Sequence, residues 1–274
     1  MPMTADGIHY VTHDLRPPWR DSGLPVVFNH GIGTDLDIWA EWVPVIAAHH
    51  PVIRFDMRGF GQSEVPPEDH VWSMSEFVKD LWDVAAGGAG GDRVHLVGES
   101  FGGTIALAAA IAYPERVASV SISNATFKGE GVGQIQYWRD QFVQGGGPGW
   151  SGRMMDHRFA PGVGDPAALA WFAAEQAKTQ AHVAMGLAGV LASSDLTEGL
   201  RSLDVPISIV LPDSSPFVPV RHGADLHEIA RRSRLRIVPG VRHGLPFSHA
   251  EREARELLSV LDACERAGKR GDGS

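Results

Sequence analysis

The segment 95–117, HLVGESFGGTIALAAAIAYPERV, contains a serine at the point where a strand-forming run gives way to a helix-forming run. Ser100 follows Gly98 by two positions and precedes Gly102 by two, so the pattern is G-x-S-x-G. A sharp strand-to-helix turn crowds its own backbone, and the positions beside the serine must therefore be nearly free of side chain. Such a turn exposes the serine hydroxyl as a nucleophile. It also directs the N–H of Phe101 into the field of a helix N-terminus, where an oxyanion is stabilised.

Short runs rich in valine and isoleucine alternate with helix-forming stretches along most of the chain. Six runs are predicted strands: 26–29, 52–55, 94–97, 117–122, 207–211 and 235–238. This alternation predicts an α/β fold with a mostly parallel sheet covered by helices on both faces. Functional residues are then expected beyond the carboxyl ends of the strands.

The alternation stops in the middle of the chain, which predicts a helical lid inserted before the last two strands. A chain of 274 residues is long enough for one large α/β domain carrying such an insertion. We assign the chain as follows: residues 1–125 and 205–264 to the core, 126–204 to the lid and 265–274 to a flexible tail.

Charge and cysteine content exclude several classes of partner. The 24 basic and 33 acidic residues give a net charge of −9 without any basic block, which argues against nucleic acid or an anionic membrane as partner. The N-terminal sequence lacks a basic flank and an apolar core, and the apolar runs are too short to span a bilayer. We therefore expect a cytoplasmic protein. With one cysteine, Cys264, and no H-E-x-x-H motif, we expect no metal and no cofactor.

Five motifs, NHGIGTDLDIW, RFDMRGFGQSEVP, GESFGG, YPERV and SNAT, resemble the α/β-hydrolase superfamily, and in particular its 3-oxoadipate enol-lactonase-like branch. The resemblance covers nearly the whole chain. It implies the α/β-hydrolase fold and a catalytic triad in the chain order serine, acid, histidine. It also implies that Ile32, which follows the His-Gly pair of the first motif, donates the second oxyanion N–H beside that of Phe101. We expect His30 of that pair to shape the loop rather than to act as a base.

His243 is the predicted general base. It follows the last predicted strand in VPGVRHGLPFSH, late in the chain, as the order of this fold requires. A histidine in this position takes the proton of the serine and returns it to the leaving group. His249, in the same segment, is the second candidate.

The acid of the triad is the position at which this sequence departs from the family pattern. Counted from the neighbouring prolines, the family's aspartate falls on Ser215 in VPISIVLPDSSPFVP. A serine cannot carry the charge that stabilises the imidazolium. Asp213 is the first substitute, because residues i and i+2 of an extended chain point to the same side. Relatives that resemble zearalenone lactonase and haloalkane dehalogenases place the acid after the preceding strand, which is Asn124 here. An acid elsewhere in the chain, or none, is the remaining alternative.

We interpret the chain as a cofactor-free serine hydrolase of a carboxylic ester or lactone. In this hypothesis Ser100 attacks, His243 transfers the proton, two backbone amides hold the oxyanion, and water releases the acyl-enzyme. Hydrolysis of a carbon–carbon bond or a thioester on the same residues is an alternative. A ligand-binding protein with weakened catalysis is a further one, because of Ser215.

The predicted substrate is a small molecule with an apolar or aromatic group. This prediction depends on the aromatic side chains of the lid, since such side chains commonly line small-molecule sites. Three tryptophans are the candidates: Trp138, Trp150 and Trp171. The alternative is that they form only the core of the lid.

Overall fold

The computed structural model describes residues 2–21, 23–89, 92–129 and 135–271. Within these ranges the strands are β1 Tyr10–His13, β2 Val26–Asn29, β3 Val52–Phe55, β4 Val94–Glu99, β5 Val117–Ser123, β6 Ile207–Pro212 and β7 Ser233–Val238. They form one sheet in the order β1-β3-β2-β4-β5-β6-β7, in which only β1 is antiparallel to its neighbour. The six predicted strands are confirmed. The sequence did not indicate β1, because this edge strand is short and only partly buried.

The helices of the described residues are α1 Val43–Ile46, α2 Met74–Ala89, α3 Phe101–Ala112, α4 Ile135–Arg158, α5 Pro166–Ala177, α6 Ala181–Ser193, α7 Thr197–Ser202, α8 Val220–Ile229, α9 Leu245–Ser248 and α10 Ala250–Gly271. Helices α4 to α7 lie between β5 and β6, so the predicted insertion before the last two strands is confirmed. Helix α4 is interrupted at Gly146, where φ is 59°. None of the helices in the described ranges is long and apolar enough to cross a membrane.

The sheet is buried between two layers of helices. Successive residues of β2 point to opposite faces, so Val27 packs in the cluster that contains Phe77 of α2, while Val26 packs with Trp39 and with Leu257 of α10. A parallel strand that is covered on both faces consists almost entirely of apolar residues. This burial explains why β2, β3 and β4 could be read directly from the sequence.

The end of the chain continues as a helix. Helix α10 extends to Gly271, and Glu265 accepts a hydrogen bond from the backbone N–H of Leu24 at 2.7 Å. Residues 265–271, which we expected to form a flexible tail, are helical as part of α10. Residues 272–274 lie outside the described part of the chain.

The strand order creates a crevice between two neighbouring strands. Strands β2 and β4 lie side by side, and the chain proceeds from β2 to β3 on one flank and from β4 to β5 on the other. Loops leave the sheet in opposite directions at such a point, and ligands bind there, beyond the carboxyl ends of the strands. Ile32 follows β2 and Ser100 follows β4, so the fold brings both residues to this crevice.

Candidate active site

The turn between β4 and α3 holds Ser100 in a strained backbone conformation, with φ 54° and ψ −123°. A positive φ is costly for any residue other than glycine, and it persists only where the surroundings impose it. The backbone N–H of Ser100 donates to the carbonyl of Ser123 at 2.8 Å, which ties the turn to β5. A Cβ atom on Gly102 would lie 2.3 Å from the carbonyl oxygen of His30. Only glycine therefore allows α3 to start this close to the loop after β2.

Ser100 and His243 line the same cavity, which has a volume of about 310 Å³. Trp138, Met154 and Leu191 of the inserted helices form part of its apolar wall, together with Phe217 from the loop after β6. The core of the fold supplies Ser100 and His243, and the insertion supplies much of the apolar wall of the cavity.

Of the three lid tryptophans, only Trp138 lines this cavity. Trp150 is fully buried and stacks on Phe142, with ring centroids 5.0 Å apart. Trp171 stacks on Phe247, with centroids 5.8 Å apart. The structure thus places Trp150 and Trp171 away from the cavity, in apolar packing, which is the alternative that the sequence left open.

His243 is buried beside an apolar ring and a hydroxyl. Its Nδ1 lies 3.0 Å from Oγ of Ser215, and its ring makes an edge contact with Phe217. Burial lowers the pKa of His243 well below its usual value, and the positive charges of Arg158 and His157 lower it further. The imidazole is therefore neutral near pH 7, as a general base must be.

Asp213 does not reach His243 in the structure. It is exposed in the turn directly after β6, and its Oδ1 accepts hydrogen bonds from the N–H of Gly240 and the hydroxyl of Ser214, each at 2.8 Å. In the described part of the chain, no hydrogen bond joins Asp213 to His243. We expected Asp213 to point to the same side as Ser215, as residues i and i+2 of an extended chain do. The extended conformation ends at Pro212, however, and Ser215 lies beside the histidine.

Asn124 supports the main chain of His243 rather than its ring. The Nδ2 group of Asn124 donates to the carbonyl oxygen of His243 at 2.5 Å. Asn124 itself has a φ of 56°, a conformation that asparagine tolerates better than most residues. The second histidine candidate, His249, lies with Nδ1 2.8 Å from Oγ of Ser248 and does not line the cavity.

The predicted oxyanion donors follow two neighbouring strands of the sheet. Among the described residues, neither the backbone N–H of Ile32 nor that of Phe101 donates to a protein group. The carbonyl of Ile32 accepts from Nη2 of Arg158 at 2.7 Å, which fixes this loop. His30 also shapes the loop, as expected, because its Nε2 accepts from the N–H of Met57 at 2.8 Å.

Two buried charged residues beside His243 were not identified from the sequence. Oε1 of Glu99 lies 3.4 Å from Nε2 of His243 and 3.7 Å from Nη1 of Arg158. Burial raises the pKa of Glu99 to about 7, although the charge of Arg158 opposes this shift. The available signal was a carboxylate at the end of an otherwise uncharged, buried strand. Arg158, by contrast, belongs to α4, and only the packing of the insertion brings it to the site.

The chain is similar to known proteins in sequence and in fold. A family model described as alpha/beta hydrolase fold matches residues 25–250. The 2-hydroxymuconate semialdehyde hydrolase of Pseudomonas sp. strain CF600 is 39% identical over 120 residues, which are 41% of this chain and 38% of that protein. This alignment therefore spans about two fifths of the relative's length. The 3-oxoadipate enol-lactonase 1 of Acinetobacter baylyi is 23% identical over 231 residues, 78% of this chain and 79% of that protein.

The same fold is present in the crystal structure of the enol-lactonase from Burkholderia xenovorans LB400. It matches with a TM-score of 0.83 and 18% sequence identity, covering 94% of this chain and 98% of that one. The resemblance expected from the sequence motifs is confirmed by the family model and by the enol-lactonases among the relatives. The chain belongs to the α/β hydrolase fold family.

Proposed function

We propose that this protein is a serine hydrolase that cleaves a carboxylic ester or a lactone through an acyl-enzyme. The observation that carries the proposal is the strained elbow at Ser100, which opens into the same cavity as His243 and Ile32. A backbone strain of this kind is retained where function needs it. Membership of the α/β hydrolase fold family supports the same assignment.

In the proposed reaction, Oγ of Ser100 attacks the substrate carbonyl carbon while its proton passes to His243. Because Nδ1 of His243 bonds to Ser215, Nε2 is the nitrogen that receives this proton. The N–H groups of Ile32 and Phe101 stabilise the negative oxygen of the tetrahedral intermediate. The imidazolium then protonates the leaving alcohol, and the same base activates water for release of the acyl group.

The cavity favours a small substrate with an apolar portion. Trp138, Met154, Leu191 and Phe217 provide wide apolar contact. Arg158 also lines the cavity, but its Nε and Nη2 already donate to Gln176 and to the carbonyl of Ile32. We therefore assign substrate affinity mainly to apolar contact, and the acyl or alcohol part is aliphatic or aromatic.

Hydrolysis of a carbon–carbon bond is the second candidate function. It is favoured by the similarity to 2-hydroxymuconate semialdehyde hydrolase and to 2-hydroxy-6-oxo-2,4-heptadienoate hydrolase of Pseudomonas putida, which is 37% identical over 124 residues. A screen of the purified protein against aryl esters, lactones and dienol keto acids separates the two candidates. We expect the esters or lactones to be turned over faster.

Labelling by a fluorophosphonate probe tests the nucleophile. We expect the parent protein to be labelled at Ser100, and Ser100→Ala to lose both labelling and ester hydrolysis. Its Tm should stay unchanged, because Ser100 is only partly buried and the substitution removes a single oxygen atom. Ester turnover within tenfold of the parent at an unchanged Tm would exclude Ser100 as the nucleophile. An unlabelled parent protein would instead indicate a ligand-binding protein.

A further inference from the structure

In the described part of the chain, no carboxylate contacts Nδ1 of His243, the base of the proposed triad. Ser215 occupies that position, with its neutral hydroxyl 3.0 Å from the ring nitrogen. When His243 takes a proton it becomes a buried cation, and a buried charge without a partner is strongly unfavourable. Arg158 and His157 add positive potential to the same place. A working site therefore needs a negative charge elsewhere around the imidazole.

Glu99 provides a carboxylate on the opposite side of the ring, with Oε1 3.4 Å from Nε2 of His243. It is 2% exposed, and in the described residues the neighbours that lower its pKa besides Arg158 are neutral, namely the side chain of Asn124 and the backbone of Gly31. A Cβ atom on Gly31 would lie 2.1 Å from Oε2 of Glu99. The glycine of the loop after β2 thus makes room for the carboxylate next to Ser100.

Arg158 also forms an ion pair with this carboxylate, but through the longer of the two contacts. The shortest approach of the guanidinium to Glu99 is 3.7 Å, which is longer than the contact with His243. Nε of Arg158 donates to Oε1 of Gln176 at 2.8 Å and its Nη2 donates to the carbonyl of Ile32 at 2.7 Å. The guanidinium therefore donates its hydrogen bonds to neutral acceptors, and its ion pair with Glu99 leaves the same Oε1 atom facing His243.

We propose that Glu99 is the counter-ion of His243 and supplies, beside Nε2, the negative charge that Ser215 cannot supply at Nδ1. This inference rests on the proposed function. As the bond between Oγ of Ser100 and the carbonyl carbon forms, the carbonyl π electrons move to oxygen and the serine proton moves to Nε2. Glu99 stays ionised, stabilises the imidazolium, and takes no proton. The proton then goes to the leaving alcohol as the tetrahedral intermediate collapses.

The test is kcat/KM against pH on one activated ester for the parent and for Glu99→Gln, which keeps the shape of the side chain but not the charge. The charged or titratable groups that lie near Glu99 in the described residues are Arg158 and His243, and His157 acts on His243. Since the pKa of Glu99 is about 7, parent activity should be present above that pH and be lost as the pH falls through it. In the variant we expect kcat/KM at pH 8 to fall at least tenfold. The loss of activity at acid pH should then occur below pH 6.5, because only the protonation of His243 causes it.

Rescue distinguishes a counter-ion from a structural role. Ser215→Asp puts a carboxylate beside Nδ1, the usual position in such triads. We expect it to restore most of the lost rate in the Glu99→Gln background without raising the Tm. The matched control is Asp213→Asn, which neutralises an exposed carboxylate that does not contact His243. It should stay within about twofold of the parent.

Several results would overturn the proposal. The first is a Glu99→Gln pH profile that overlays the parent's at an unchanged Tm. The second is a Glu99→Gln, Ser215→Asp double variant that folds but regains none of the lost rate. The third is a loss of rate in Glu99→Gln that Arg158→Met reverses, since Glu99 would then act only by neutralising Arg158. Fluorophosphonate labelling of the parent at Ser100 keeps this test separate from the proposed function. If the parent is labelled and turns over ester but Glu99→Gln is indistinguishable from it, only the counter-ion inference fails.

Discussion

Gly102 is one of the elbow positions at which neighbouring backbone leaves no room for a side chain. Its missing Cβ leaves room for two carbonyl oxygens, those of His30 and Asn29, which would lie 2.3 and 2.6 Å from an added Cβ. Because backbone cannot rotate away as a side chain does, we expect Gly102→Ala to destabilise the protein by about 3 kcal/mol or more, the range of severe single substitutions. The measurement is the free energy of unfolding in urea.

Gly189 is the control for that substitution. It lies exposed in α6, with no atom within 4 Å of an added Cβ. Alanine at such a helical position should stabilise the fold by about 0.5–1 kcal/mol, because it restricts the unfolded chain and favours the helix. Equal effects of the two substitutions would show that the close approach at Gly102 does not matter.

At the level of elements, Glu265 joins α10 to the segment that precedes β2, through its hydrogen bond with Leu24. Burial alone would raise the pKa of this carboxyl, but its contacts with His95 and with the N–H of Leu24, and the charge of His50, lower the pKa to about 2. A folded-state pKa below the usual 4.5 means that ionised Glu265 stabilises the fold. That stabilisation is complete above about pH 4.5 and is lost as the pH falls towards 2.

We therefore expect Glu265→Gln to lower the Tm at pH 6 to 7, and the difference from the parent to shrink steadily between about pH 4.5 and 2. Thermal unfolding followed by circular dichroism over this range measures both curves. Glu256→Gln, at an exposed position of the same helix, should show no such pH dependence. A constant difference at all pH values would mean that the ionisation of Glu265 does not contribute.

At the scale of the whole molecule, the inserted helices share their core with the sheet layer. Trp150, Met154 and Leu187 belong to the same buried cluster as Phe101 and Ile105 of α3. We therefore expect the core and the insertion to unfold together, with one calorimetric transition and matching protection of amides in α3 and α6. Two separate transitions would show that the insertion is an independent unit.

The sequence alone was sufficient for the fold class, the central strands and two of the residues that line the cavity, Ser100 and His243. Strands β2 to β6 are rich in apolar residues because they are covered on both faces, and the turn at Ser100 depends on local sterics that require glycine at neighbouring positions. The position of His243 followed from chain order, and Ser215 was identified from the sequence as the residue in the usual acid column. The strand and turn patterns depend on residues that are close together in the sequence, so they can be recognised without the structure.

What surrounds His243 was decided only by the tertiary structure. Asp213 lies two positions before Ser215, but the chain turns after Pro212 and the carboxylate binds the N–H of Gly240 instead. Trp138 reaches the cavity and Trp150 does not, because the packing of the inserted helices sets which side chain faces inward. Glu99 is adjacent to Ser100 in sequence, yet its contact with His243 joins residues 144 positions apart, 243 − 99. Electrostatic partners of this kind depend on distances across the fold, which no local pattern encodes.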